Sequence, residues 1–215
     1  MSRAYPISRY FLYYPFLWRV NEVRGIDNLP KTGPFILAAN HVSYWDPFFI
    51  VILIVKHLNR KIHFIANPRI WNWPGRKITA AYSGTIHLDL SDKGKVLEPA
   101  LAVLKKNGII GIFPEGHQHQ GTSLGKARTG LARLALASRV PVIPVGCYGF
   151  ETPSLWLKIK KLLRKKEPVE IYFGEPINLD QYYNQPVDKM LLDKISNQVM
   201  QAIAQLSNKS YPFVA

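Results

Sequence analysis

A histidine and an aspartate five positions apart, His41 and Asp46, stand inside NHVSYWDP (residues 40–47). The apolar run FFIVILIV follows directly. A helix brings residues three or four apart onto one face, so these two side chains meet only if a turn folds one back on the other. If they meet, a carboxylate on one ring nitrogen fixes the tautomer and leaves the other nitrogen free to act as a base. The stretch alone leaves the alternative open that Asp46 is only a helix cap and His41 only a polar loop residue.

A second stretch, IFPEGHQHQG (112–121), places Glu115 between Pro114 and Gly116 after the apolar run GIIGI. GKARTG (125–130) follows and brings two cations, Lys126 and Arg128. The H-x-H of His117 and His119, taken with His41 and Glu115, raises the question of a metal. No fuller ligand set is spelled out, so no metal is expected. His57, His63 and His87 have no motif around them and are assigned no role.

These residues need elements to hold them. PFILAAN (34–40), KIHFIAN (61–67), GTIHLDL (84–90), GIIGIFP (108–114), VPVIPVG (140–146) and VEIYFG (169–174) read as strands. The stretches 47–58, 93–106 and 126–138 carry helical patterns, and 188–206 makes a closing helix. Repeated alternation of strand and helix implies an α/β domain with a largely parallel central sheet flanked by helices. The expected organisation is an N-terminal helical segment over 1–20 that lies at a membrane interface, followed by one domain over 21–215. Pro47 suits the first position of a helix, which makes Asp46 its expected N-cap and HVSYW a loop at the carboxyl end of a strand. In open α/β sheets ligands bind at such ends.

The chain has 215 residues, with 28 Lys plus Arg against 14 Asp plus Glu, a net charge of +14. That excess calls for an acidic partner, either nucleic acid or an anionic membrane surface. YPISRYFLYYPFLWRV (5–20) and NPRIWNWPGRK (67–77) mix large rings with Arg and Lys, a composition suited to the headgroup layer. WLKIKKLLRKK (156–166) has the spacing of a basic amphipathic helix. No run of ~18 apolar residues is present, so a conventional span is not expected. Neither is a cleaved signal peptide, because no small-residue cleavage site follows an apolar core. The single cysteine, Cys147, excludes an internal disulfide and a cysteine metal cluster. A protein peripheral to the cytoplasmic face of a membrane fits these features. Nucleic acid is not the expected partner, since binding it gives no use to His41, Asp46 and Glu115 at strand ends.

N-H-x-x-x-x-D, then F-P-E-G, then V-P-V-I-P-V, in this order, resemble the glycerolipid acyltransferases that include the bacterial lysophosphatidic acid acyltransferases. The resemblance covers roughly residues 20 to 180. It implies that His41 is the general base, oriented by Asp46, and that an acceptor hydroxyl attacks the thioester of acyl-CoA or acyl-carrier protein. It implies direct transfer without an acyl-enzyme and without a cofactor beyond the acyl donor. It assigns Glu115 and Gly116 to acceptor binding and gives Pro144 either a structural or an acyl-pocket role. In two places this sequence departs from the family pattern. Gln118 and Leu90 stand where that family carries arginines that face the acceptor phosphate, and Gln118 offers neither their charge nor their bidentate fork. Lys126 and Arg128 are the candidates to compensate. The expected acceptor is a lysophospholipid or a related glycerolipid. The alternatives are a lipid without a phosphate, of ornithine-lipid or glycolipid type, and a non-catalytic membrane-surface protein.

Overall fold

A computed structural model describes residues 17–66, 84–87, 95–149 and 169–213. Residues 5–16, Trp71, Trp73, Leu90 and 156–166 lie outside these. Seven strands form one sheet: β1 (Val20–Arg24), β2 (Phe35–Ala39), β3 (Ile62–Ala66), β4 (Ile86–His87), β5 (Ile109–Ile112), β6 (Val142–Tyr148) and β7 (Val169–Phe173). Their order is β1-β7-β6-β2-β5-β3-β4. β6, β2, β5, β3 and β4 are mutually parallel, whereas β7 runs antiparallel to β6 and carries β1 parallel to itself. The carboxyl ends of the five parallel strands therefore share one edge with the amino ends of β7 and β1.

The central strand β2 reads FILAA and is buried throughout, as a parallel strand covered on both faces must be. Its side chains alternate. Ile36 and Ala38 join the cluster under helices α2 (Glu98–Lys105), α3 (Gly130–Ser138) and α4 (Lys189–Ser207). Phe35, Leu37 and Ala39 join the opposite cluster, into which helix α1 (Asp46–Leu58) sinks Phe49, Ile50, Leu53 and Ile54. The run FFIVILIV is thus a buried helix. It ends at Asn59, which takes the left-handed conformation (φ 54°) that asparagine tolerates better than most residues.

Three expectations are corrected. The first helix begins at Asp46 itself, with Trp45 as its cap residue, one position earlier than the proline implied. The third begins at Gly130 and not at 126, because the preceding chain is tied to other loops: Leu124 N–H donates to Ser210 O (2.8 Å) and Arg128 N–H to Pro114 O (2.8 Å). Finally, β1 was not anticipated. Its partner is distant in sequence, with Val20 in register with Val169, and Val20 belongs to the stretch expected to be helical.

Candidate active site

β2 and β5 are neighbours, so the loops that follow them emerge side by side at one edge. The loop after β2 turns back at once. Asp46 N–H donates to Ser43 O (3.3 Å), and the Asp46 carboxylate comes to lie under the residues before it. Its Oδ2 accepts from Val42 N–H (2.8 Å) and Ser43 N–H (2.8 Å), and lies 2.8 Å from His41 Nδ1. An oxygen already receiving two N–H groups requires Nδ1 to be a donor as well. The proton of a neutral imidazole is then on Nδ1, and the lone pair is on Nε2. Asp46 is 4 % exposed, so these contacts are shielded from water.

The imidazole ring lies on Phe113, the residue after β5, with centroids 4.1 Å apart and planes 17° from parallel. Phe113 in turn stacks on Phe64 of β3. The His41 backbone is held as well. Its N–H donates to Glu115 Oε1 (3.0 Å), and its carbonyl accepts from His119 N–H (2.8 Å). Asn40, immediately before it, is fully buried and stitches the end of β2 to β6: Asn40 Nδ2 donates to Cys147 O (2.9 Å) and Cys147 N–H donates to Asn40 Oδ1 (2.7 Å). Burial and the nearby Asp46 carboxylate push the Cys147 thiol well above its usual range, which leaves it an inert core group.

Glu115 is tied into the two loops. It is 1 % exposed, and its second oxygen accepts from Gly125 N–H (2.7 Å). Both oxygens therefore hold backbone. Burial raises its titration above the ordinary carboxylate range, and the N–H groups of His41 and Gly125 pull it partly back. Gly116 adopts φ +74°, and a Cβ there would stand 2.6 Å from Arg128 Nε. The Arg128 side chain thus lies across Gly116. Lys126 and Arg128 are both exposed.

Gln118 Nε2 is buried and meets no hydrogen-bond acceptor among the described residues. The rings of His117 and His119 meet edge to face, with centroids 5.9 Å apart. Among the described residues no three His, Cys, Asp or Glu side chains converge as a metal needs. Pro144 sits inside β6, and its carbonyl accepts from Gly174 N–H (2.9 Å), a backbone role in the sheet.

Sequence reasoning singled out His41, Asp46, Glu115, Gly116, Lys126 and Arg128, and the loops after β2 and β5 carry them at one edge. It missed Asn40, Phe113 and the His119 backbone. Asn40 and Phe113 each stand at the end of a strand beside a residue already singled out, which was the available signal.

The family described as Acyltransferase matches residues 20–148 of this chain. The 1-acyl-sn-glycerol-3-phosphate acyltransferase of Bacillus subtilis is 25% identical over 190 residues, covering 87% of this chain and 88% of that protein. The enzyme of the same name from Borreliella burgdorferi is 24% identical over 136 residues, 59% of this chain; the match spans only 50% of that relative's length. The solved structure of the 1-acyl-sn-glycerophosphate acyltransferase PlsC from Thermotoga maritima superposes with a TM-score of 0.60 at 22% identity, covering 91% of this chain and 76% of that one. That likeness is one of fold.

Proposed function

The chain belongs to the acyltransferase family, and on that footing we propose that it transfers a fatty acyl group from an acyl thioester to the hydroxyl of a lysophospholipid. The observation that carries this reading is the His41–Asp46 pair, with a free Nε2 beside it at the mouth of the sheet.

His41 Nε2 takes the proton of the acceptor hydroxyl as its oxygen attacks the thioester carbonyl. Positive charge on the imidazole is met by Asp46. The tetrahedral intermediate then breaks its C–S bond, and the imidazolium returns the proton to the departing sulfur. An ester and a free thiol result, with no acyl-enzyme and no cofactor other than the donor, acyl-CoA or acyl-carrier protein. General-base help of this kind contributes roughly 10²–10⁴-fold.

The relatives' names specify 1-acyl-sn-glycerol-3-phosphate as their acceptor. For this chain the acceptor headgroup would meet Arg128 and Lys126. A second reading rests on Gln118, a neutral amide donor where the resemblance leads one to expect an arginine. In that reading the acceptor is a lipid without a phosphate, of ornithine-lipid or glycolipid type. The substrates are lipids and the net charge is +14, so the protein works at an anionic membrane surface rather than on nucleic acid. No described helix is long and apolar enough to cross a membrane.

The test is acyl transfer from labelled acyl-CoA and acyl-carrier protein to a panel of lysolipids: lysophosphatidic acid, headgroup-substituted lysophospholipids, and lysolipids without phosphate. Transfer to lysophosphatidic acid or a headgroup-substituted lysophospholipid supports the first reading, and transfer only to the lysolipids without phosphate supports the second. No transfer to any acceptor by a folded protein would count against both.

A further inference from the structure

Beyond helix α4 the chain comes back to the site. Asn208 takes the left-handed conformation (φ 50°) and turns the chain out of the helix. Residues 209–211 then lie alongside the loop that follows Glu115, with Ser210 bridged to Ser123. Each of the three holds that loop. Lys209 Nζ donates to Gly121 O (2.5 Å), Ser210 N–H donates to Thr122 O (2.9 Å), and Ser210 O accepts from Leu124 N–H (2.8 Å). The Tyr211 hydroxyl accepts from Ala127 N–H (3.4 Å) and donates to Asn197 Oδ1 of α4 (2.9 Å), which anchors the far end of the loop to the helix. Lys209 is 8 % exposed and Tyr211 9 %, so these contacts are shielded from water.

The loop itself, residues 121–127, reads GTSLGKA and has little of its own to fix its register. Gly121 stands at φ +102°, and a second glycine follows at 125. Glycine widens the conformational choice of a segment, and contacts from outside must remove that freedom. Yet Gly125 has to be placed closely. Its N–H reaches Glu115 Oε2 (2.7 Å), and a Cβ there would stand 3.0 Å from that oxygen and 3.2 Å from His119 Nδ1. Glu115 Oε1 in turn takes the N–H of His41 (3.0 Å). A continuous path of contacts therefore leads from α4, through residues 209–211 and the loop, to the backbone of His41. Burying an ammonium carries a desolvation cost that an apolar side chain avoids, so packing alone gives no use to a lysine at 209. A lysine does fix the position of a carbonyl, which an apolar side chain cannot.

We propose that residues 209–211 are a positioning strap for the base: they set the register of the 121–127 loop in which Gly125 completes the Glu115 bridge to His41. This role rests on the acyltransferase reading, which makes His41 the base. The strap acts through Gly125 and Glu115 and not on the reacting atoms.

The test is a double-mutant cycle on acyl transfer by the full chain to its preferred lysolipid. Lys209→Met with Tyr211→Phe removes these two side-chain contacts to the loop and keeps the bulk of both residues. kcat should fall about ten-fold, with a smaller change in the acceptor KM, and should fall no further when the same changes are made in Glu115→Gln. Tyr182→Phe is the control. It removes another buried hydroxyl of the same core cluster, one bonded to Gln198 (3.1 Å), and should leave kcat unchanged. The backbone amide of His41, followed by NMR, should move in the strap variant as it does in Glu115→Gln and stay in place in Tyr182→Phe. Where the double variant folds poorly, Tyr211→Phe alone takes one hydroxyl from the loop, leaves the ring in the core, and is read in the same way. An unchanged kcat with an unmoved His41 amide overturns the proposal. So does a loss that adds in full to that of Glu115→Gln, or one that Tyr182→Phe shares. With transfer by the wild type and an additive cycle, the strap is wrong and the enzyme reading survives. With no transfer by the wild type the acyltransferase reading fails, and the His41 amide alone decides whether residues 209–211 hold its loop.

Discussion

Nδ1 of His41 and Oδ2 of Asp46 are 2.8 Å apart, joined across a turn in which the same oxygen also receives the N–H groups of Val42 and Ser43. One carboxylate therefore shapes the loop and selects the imidazole tautomer together. Asp46→Asn removes the charge that meets the imidazolium, and wherever its NH2 takes the place of Oδ2 it faces three donors at once. It is expected to lower kcat roughly 10²–10⁴-fold, with a much smaller change in the acceptor KM, by removing what orients the base. Steady-state kinetics at saturating donor measure this split.

Glu115 spans the two loops, His41 N–H on one oxygen and Gly125 N–H on the other. Glu115→Gln keeps one acceptor and sets an NH2 against the other N–H. The expected result is a fall in kcat of about ten-fold or more with an unchanged acceptor KM, and about 1–3 kcal/mol lower stability. A raised acceptor KM with an unchanged kcat would show instead that Glu115 touches the acceptor.

The titration of Glu115 also predicts a pH dependence of stability. Burial raises it in the folded protein above the usual 4.5, so in that window the folded state holds a proton that the unfolded state has released. The resulting stabilisation is complete below 4.5 and is lost as pH rises through the folded titration. Denaturant midpoints measured from below 4.5 upward should show that decline, and Glu115→Gln should flatten it.

Gly116 combines φ +74° with the Arg128 side chain over its α carbon. Gly116→Ala is expected to cost about 1–2 kcal/mol from the left-handed backbone. It should also push Arg128 aside and so raise the KM for an anionic acceptor. Arg128→Gln should raise that KM about ten-fold while sparing kcat, with Arg128→Lys between the two. Kinetics on lysophosphatidic acid and on an uncharged lysolipid tell charge recognition from general damage.

The parallel sheet was legible because FILAA, GIIGI and VPVIPV are short apolar runs bounded by Gly, Pro and Asn and separated by helical patterns, as strands buried on both faces are. The His41–Asp46 loop was legible because Pro47 limits where α1 can start. What escaped depended on partners far along the chain. Asn40 meets Cys147 across a separation of 107 residues, and β1 exists only through β7. The start of α3 was misplaced because Gly125–Thr129 has helix-forming neighbours but is claimed by contacts to Glu115, Pro114 and Tyr211. The backbone contacts of Glu115 could not be read from F-P-E-G either, since they depend on where His41 and Gly125 come to lie.

In the proposed reaction the free Nε2 of His41 removes the acceptor proton. Acyl transfer from labelled acyl thioester to the preferred lysolipid, compared between wild type and His41→Ala, tests it most directly. Loss of roughly 10²–10⁴-fold in kcat by a variant that still folds and still binds the acceptor is the predicted result. Equal transfer with the imidazole gone would contradict it.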